Sequence, residues 1–148
     1  MKIENFLAWV RQWAEQQSDI QGVLLVGSHA RGAARRDSDV DLVILTPSPK
    51  RYLESMSFAD NFGAVSKCQV EDWGKVTSLR VWYEDGLEVE YGFALPEWAA
   101  QPLDAGTRQV ITDGMKIVFD REGILKGLSG VTAGHVPPLA KPAGEKII

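Results

Sequence analysis

A chain of 148 residues, 45% hydrophobic and 24% charged, has the size and composition of one ordinary globular domain, which excludes a disordered or fibrous chain. Its net charge of −4 argues against a dedicated binder of duplex nucleic acid, which would carry a basic face, and its single cysteine, Cys68, forms no internal disulfide and suits a reducing cytoplasm. The first residues, Met-Lys-Ile-Glu-Asn-Phe, begin no long apolar run, so neither a secretory leader nor a membrane partner is expected.

Taken in chain order, residues 3–17 place Ile3, Phe6, Leu7, Val10, Trp13 and Ala14 at helical spacing, which predicts an amphipathic helix with one buried stripe and Trp9 at its edge. Ser18 and Asp19 end it. A strand is expected at 21–26, where the apolar run 23–26 stops at Gly27-Ser28, the pattern of a buried strand feeding a tight loop or helix. Gly27 lets backbone approach a phosphate closely, Ser28 offers a hydroxyl and a helix N-cap, and the free N–H groups of a helix start attract anions.

A second apolar run, 42–45, follows Asp39 and Asp41. Residues i and i+2 of a strand share a face, so these two carboxylates stand side by side. They repel each other unless a cation sits between them, and hard oxygen ligands on a rigid strand suit Mg²⁺. His29 and His135 are the only histidines, which leaves little material for a histidine metal site or a serine–histidine triad. Arg31, Arg35 and Arg36 make a local basic cluster between the two motifs.

The order Gly27-Ser28-x-Ala30-Arg31-Gly32, then Ser38-Asp39-x-Asp41-Leu42, resembles the signature of the nucleotidyltransferase superfamily with the polymerase-β-like fold. The branches in question are the minimal nucleotidyltransferases and the aminoglycoside (streptomycin-type) adenylyltransferases. The resemblance implies an α+β domain, a mixed sheet flanked by helices, occupying residues 1–128. Residues 129–148, rich in glycine, alanine and proline, are expected to form an extended or mobile tail.

Beyond the signature, Thr46-Pro47-Ser48-Pro49 closes the strand and residues 50–61 predict a helix with Tyr52, Leu53, Met56 and Ala59 inward. A strand is expected at 64–70 and a turn at Trp73-Gly74. Residues 79–83 and 87–91 flank Glu84-Asp85-Gly86, a strong hairpin signal. With Asp85-Gly86 as a two-residue loop, Tyr83 pairs with Glu88, Trp82 with Val89 and Val81 with Glu90. The superfamily carries a third carboxylate framed by apolar residues on a later strand. Val89-Glu90-Tyr91-Gly92-Phe93 fits that frame, so the resemblance gives the role to Glu90, with Glu88 as the alternative; the family position is more often aspartate. Pro96 to Ala99 predicts a short helix, residues 107–119 hold two apolar segments around Asp113-Gly114, and 124–128 a last helical piece. Asp-Gly-Met-Lys-Ile-Val-Phe-Asp at 113–120 and the hairpin are also similar to streptomycin-type adenylyltransferases.

What the resemblance implies about chemistry is nucleotidyl transfer. Two Mg²⁺ ions would be held by Asp39, Asp41 and Glu90, with Gly27 and Ser28 cradling phosphates of a nucleoside triphosphate, ATP as donor. Arg31 would either neutralise phosphate or tie the loop to a carboxylate, and Glu90 would act as base toward an acceptor hydroxyl. Three functions stay open at this point. One is an enzyme adding AMP to a small molecule; another is a minimal nucleotidyltransferase antitoxin that modifies or neutralises a partner toxin protein; the third is a non-catalytic nucleotide-binding module. Aminoglycoside-modifying relatives add a helical domain that holds the acceptor. No such domain is expected from this sequence, so a homodimer or a partner protein is expected to complete the cleft.

Overall fold

The computed structural model describes residues 3–32, 34, 38–99 and 105–126. The expected tail at 129–148, the end of the last helical piece, and Arg35 and Arg36 lie outside the described residues.

The N-terminal stripe becomes helix α1 (Ile3–Gln16), which buries Phe6, Val10, Trp13 and Ala14. Trp9, off the stripe, remains 46% exposed. Burying side chains such as Phe6 and Val10 contributes about 1.5–3 kcal/mol each. The carbonyls left over near the helix end are satisfied from afar: the Arg121 guanidinium donates to Ala14 O, Gln17 O and Ile20 O at 3.0, 2.9 and 2.9 Å. A second clamp lies nearby, where Asp19 accepts hydrogen bonds from Thr46, Arg51 and Tyr52.

The apolar runs form six strands, β1 (Gly22–Val26), β2 (Val40–Leu45), β3 (Val65–Asp72), β4 (Thr77–Tyr83), β5 (Glu88–Ala94) and β6 (Met115–Asp120). They lie in one sheet in the order β3-β4-β5-β2-β1-β6. Every pairing is antiparallel except β2 with β5, at the centre, which is parallel. Alternation sorts the side chains between two cores. On one face Val23, Leu25, Leu42, Ile44, Tyr91 and Phe93 pack with α1, with Tyr52 of helix α3 (Pro49–Ser55), and with Phe58 and Phe62 of a 3₁₀ turn, Ser57–Phe62. On the other face Leu24, Val26, Val43, Leu45 and Ala94 pack under Trp98 of the 3₁₀ turn Pro96–Ala99 and Ile111 of a C-terminal helix, Ala105–Asp113. Counting a five-residue helix, Gly27–Arg31, as α2, that C-terminal helix is α4.

Two local expectations need correction. The single helix at 50–61 is broken at Met56, a non-glycine residue at φ 59°, beyond which the chain tightens into the 3₁₀ turn. The hairpin is one residue out of the expected register. Tyr83 N donates to Leu87 O, so Glu84, Asp85 and Gly86 form a three-residue loop with Gly86 at φ 98°. The pairs are therefore Val81 with Val89 and Arg80 with Glu90. On the buried face of this hairpin, the hydroxyls of Tyr83 and Tyr91 are 2.7 Å apart and Tyr83 Oη donates to Ala59 O.

Candidate active site

Three acids from the starts of two strands converge on one patch. Asp39 immediately precedes β2, Asp41 lies within it, and Glu90 sits on β5 directly beside Asp41 in the parallel register. Asp41, Val43 and Leu45 point one way from β2, and Glu90, Gly92 and Ala94 follow on β5, which sets the two acids on the face opposite α1. One carboxylate oxygen from each of Asp39, Asp41 and Glu90 lies within 4.8 Å of the others. Burial, then the negative charges of Asp39 and Glu90, push the Asp41 carboxyl up to about 7, with Arg80 opposing.

Arg80, on β4 and opposite Glu90, is the partner that sequence reading missed. Its Nη2 donates to Glu90 Oε1 at 2.6 Å, and its Nη1 to Glu88 Oε2 at 2.7 Å and Asp39 Oδ2 at 3.1 Å. Its Nε donates to Glu71 Oε1 on β3 at 3.2 Å. Burial opposes the guanidinium charge, yet the carboxylates, Glu88 and Asp39 foremost, raise its pKa above the ordinary arginine value. Ser78, two residues earlier on the same face, donates its hydroxyl to Glu90 Oε2 at 3.1 Å. Glu90 thus has one donor on each oxygen, while Glu88 is engaged with Arg80. The signal for Arg80 was present in the sequence: with a three-residue loop, position 80 falls opposite 90 rather than 81.

The Gly-Ser step departs from expectation in one respect. Helix α2 begins at Gly27 with Val26 as its cap residue, so Ser28 lies inside the first turn and makes no capping bond. Gly27 has φ +76°, and a Cβ there would run into the Asp41 carboxylate. Only glycine permits this contact between loop and acid. His29 lies on α2 with Nε2 3.3 Å from the carbonyl oxygen of Ser38, spanning the loop between the motifs. Arg31 is exposed near the end of α2, and its Cγ occupies the space into which a side chain at Gly114 would project.

From Asp41 and Glu90 a cleft of about 450 Å³ opens over the sheet. Gly92 and Val43 form its floor; Trp98, Thr107 and Val110 stand on one side and Trp73 and Val76 on the other. Trp73 is 62% exposed at the rim.

These residues suit a divalent cation by their chemistry: three hard carboxylate oxygens close together, with the Asp41 carboxyl pushed up by burial and by the charges of its two neighbours. Among the described residues no helix is long and apolar enough to cross a membrane.

Residues 7–96, more than half of the chain, match the nucleotidyltransferase domain family. No curated protein sequence matches the chain. Among solved structures it is similar to an aminoglycoside 6-adenyltransferase from Bacillus subtilis, with TM-score 0.54 and 15% identity over 67% of this chain and 37% of that one. Cid1, in a complex with its short product ApU, matches with TM-score 0.45 and 18% identity over 62% of this chain and 29% of that one. A cytoplasmic RNA terminal U-transferase does so with TM-score 0.45 and 16% identity over 75% and 38%. The chain spans well under half the length of each of these proteins.

Proposed function

Since the chain belongs to the nucleotidyltransferase domain family, we propose that it transfers a nucleoside monophosphate, AMP from ATP, to a hydroxyl group of a small-molecule acceptor. The observation that carries this reading is the convergence of Asp39, Asp41 and Glu90 beside the tight Gly27 turn.

In this reading the acceptor oxygen attacks the α-phosphorus in line, the bond to pyrophosphate breaks, and the hydroxyl proton passes to Glu90. Asp39, Asp41 and Glu90 would hold two Mg²⁺ ions, which would supply charge neutralisation for the phosphoryl transfer. The backbone at Gly27 brings phosphate close to Asp41 because no side chain intervenes. Ser28 and the first N–H groups of α2 orient the β- and γ-phosphates. Arg31, exposed beside them, offers a cation to the same triphosphate. Ser78 fixes the direction of the Glu90 carboxylate through one oxygen, while Arg80 pairs with the other when no ion is bound. The cleft beyond, lined by Trp98 and Val76 among others, receives the organic part of a substrate. The aminoglycoside 6-adenyltransferase that shares the fold makes polyhydroxylated amines the first acceptors to try.

The test is calorimetry with ATP and Mg²⁺, followed by transfer of label from α-labelled ATP to a panel of hydroxylated acceptors. Magnesium-dependent ATP binding and acceptor-dependent pyrophosphate release are expected. Absence of ATP binding overturns the reading; binding without transfer to any acceptor favours a nucleotide-binding module instead.

A further inference from the structure

Arg80 is surrounded by more carboxylates than one charge can balance. Asp39, Glu71, Glu88 and Glu90 each accept a hydrogen bond from it, and its side chain is only 18% exposed. The guanidinium has five N–H donors in a fixed fork, which is why one residue can serve four acids on two strands and the β2 approach. The four acids fall into two groups. Asp39 and Glu90 belong to the triad whose oxygens lie within 4.8 Å of one another, whereas Glu71 and Glu88 do not.

We propose that Arg80 is the built-in counter-ion of this triad, holding Asp39 and Glu90 together for a divalent cation and yielding them to it while remaining tethered to Glu71 and Glu88. The inference rests on the reading of the triad as a cation site. Three features support the exchange. A divalent ion and a guanidinium compete for the same two carboxylates, since Arg80 contacts Asp39 and Glu90, both members of the triad. Releasing them does not strand a partly buried charge, because the bonds to Glu71 and Glu88 persist, and stranding is what makes breaking such pairs costly. Glu90 also keeps its aim, because Ser78 holds the other oxygen from the same face of β4. Glu88 thereby acquires a part distinct from that of a third ligand: it anchors the arginine that Glu90 lets go.

The test titrates the full chain with Mn²⁺, followed by electron paramagnetic resonance, and measures melting temperature in chelator and in saturating Mn²⁺. Arg80→Ala is expected to bind Mn²⁺ roughly tenfold more tightly than wild type, since a cationic competitor a few ångströms away is gone. It is also expected to melt lower in chelator, with the gap narrowing in Mn²⁺ as the ion takes over the neutralising part. A merely structural ion pair gives the reverse pattern, with unchanged or weaker Mn²⁺ binding and an equal melting gap in both conditions, and either result overturns the proposal. Arg80→Lys, which keeps the charge but loses the fork, covers the case in which the alanine variant does not fold. It should bind Mn²⁺ a few fold more tightly, and wild-type affinity there counts against the exchange. Wild-type protein that fails to bind Mn²⁺ removes the cation site and this proposal together. Binding by wild type with no change in the variants removes only the proposal.

Discussion

Gly27 and Asp41 are in such close contact that the glycine's missing side chain is what leaves room for the aspartate's carboxylate. The strand that ends at the Gly27 turn and the strand that supplies the acid are neighbours, with Val26 paired to Asp41, so turn and acid are fixed to one another by the sheet.

Gly27→Ala should therefore damage both stability and binding. The left-handed backbone at φ +76° costs an alanine on the order of 1 kcal/mol, and the methyl group must displace the Asp41 side chain. We expect a melting temperature lower by several degrees and loss of magnesium-dependent ATP binding by calorimetry. A variant that binds ATP as wild type does would show that the loop and Asp41 do not act on the same ligand.

Asp41→Asn separates charge from shape. The Asp41 carboxyl titrates near 7 in the folded chain against an ordinary value of 3.8, so the folded state binds more protons than the unfolded one between these values. By linkage, this group's contribution to stability falls as pH rises through that window. In chelator, Asp41→Asn should be more stable than wild type at pH 8, by on the order of 1 kcal/mol once solvent screening is allowed for, and show no advantage below pH 4. The same variant, like Asp39→Asn, should lose Mg²⁺-dependent nucleotide binding. Denaturant melts across pH, paired with calorimetry, check both halves.

The raised carboxyl also sets a pH dependence for the ion. Protons compete with a cation for Asp41, so the apparent Mn²⁺ affinity of wild type should weaken as pH drops from 8 to 6, through the value near 7. Titration at several pH values reads this directly. A flat profile would detach Asp41 from the cation site.

Glu90→Gln should distinguish binding from chemistry. In the proposed reading Asp39 and Asp41, together at the start of β2, recruit nucleotide, whereas Glu90, on the hairpin, meets the acceptor. ATP affinity is expected to stay within a few fold of wild type and transfer to fall by at least about a hundredfold, the lower range for loss of a general base. Glu88→Gln should do much less. Transfer of labelled AMP ranks the two, and a silent Glu88 variant beside an active Glu90 variant would reverse the assignment.

Ser28→Ala tests the phosphate loop. Its hydroxyl makes no capping bond, so it remains at the disposal of a ligand rather than of the helix. ATP binding should weaken more than AMP binding; equal losses would place the triphosphate elsewhere.

The pairing of Asp39 with Asp41 was legible because strand alternation is a property of the backbone, and two acids at i and i+2 before an apolar run leave few other arrangements. The stripe of α1 was legible for the same reason at helical period. What escaped was set by single residues acting through tertiary contact. Asp85-Gly86 carries the composition of a two-residue turn, but the chain admits Glu84 to the loop and uses Gly86 at positive φ to close it. That one-residue difference brought Arg80 rather than Val81 opposite Glu90 and hid the arginine. Met56 likewise breaks a stretch of helical periodicity by taking a left-handed conformation that its composition does not announce.

The hydroxyl pair of Tyr83 and Tyr91, hidden on the far side of the sheet, has a consequence for the acids it never touches. Tyr91 follows Glu90, so a strand that slid by one position would have to bury a carboxylate among aromatic rings and pull both tyrosines from their bonds. The aromatic core thus works as a detent, and the carboxylate on the working side keeps its place because its neighbour is held on the other. Tyr91→Phe keeps the ring but loosens that catch. It is a change through which the timing of Glu90 against Asp41 could drift while every residue of the reactive patch stays the same.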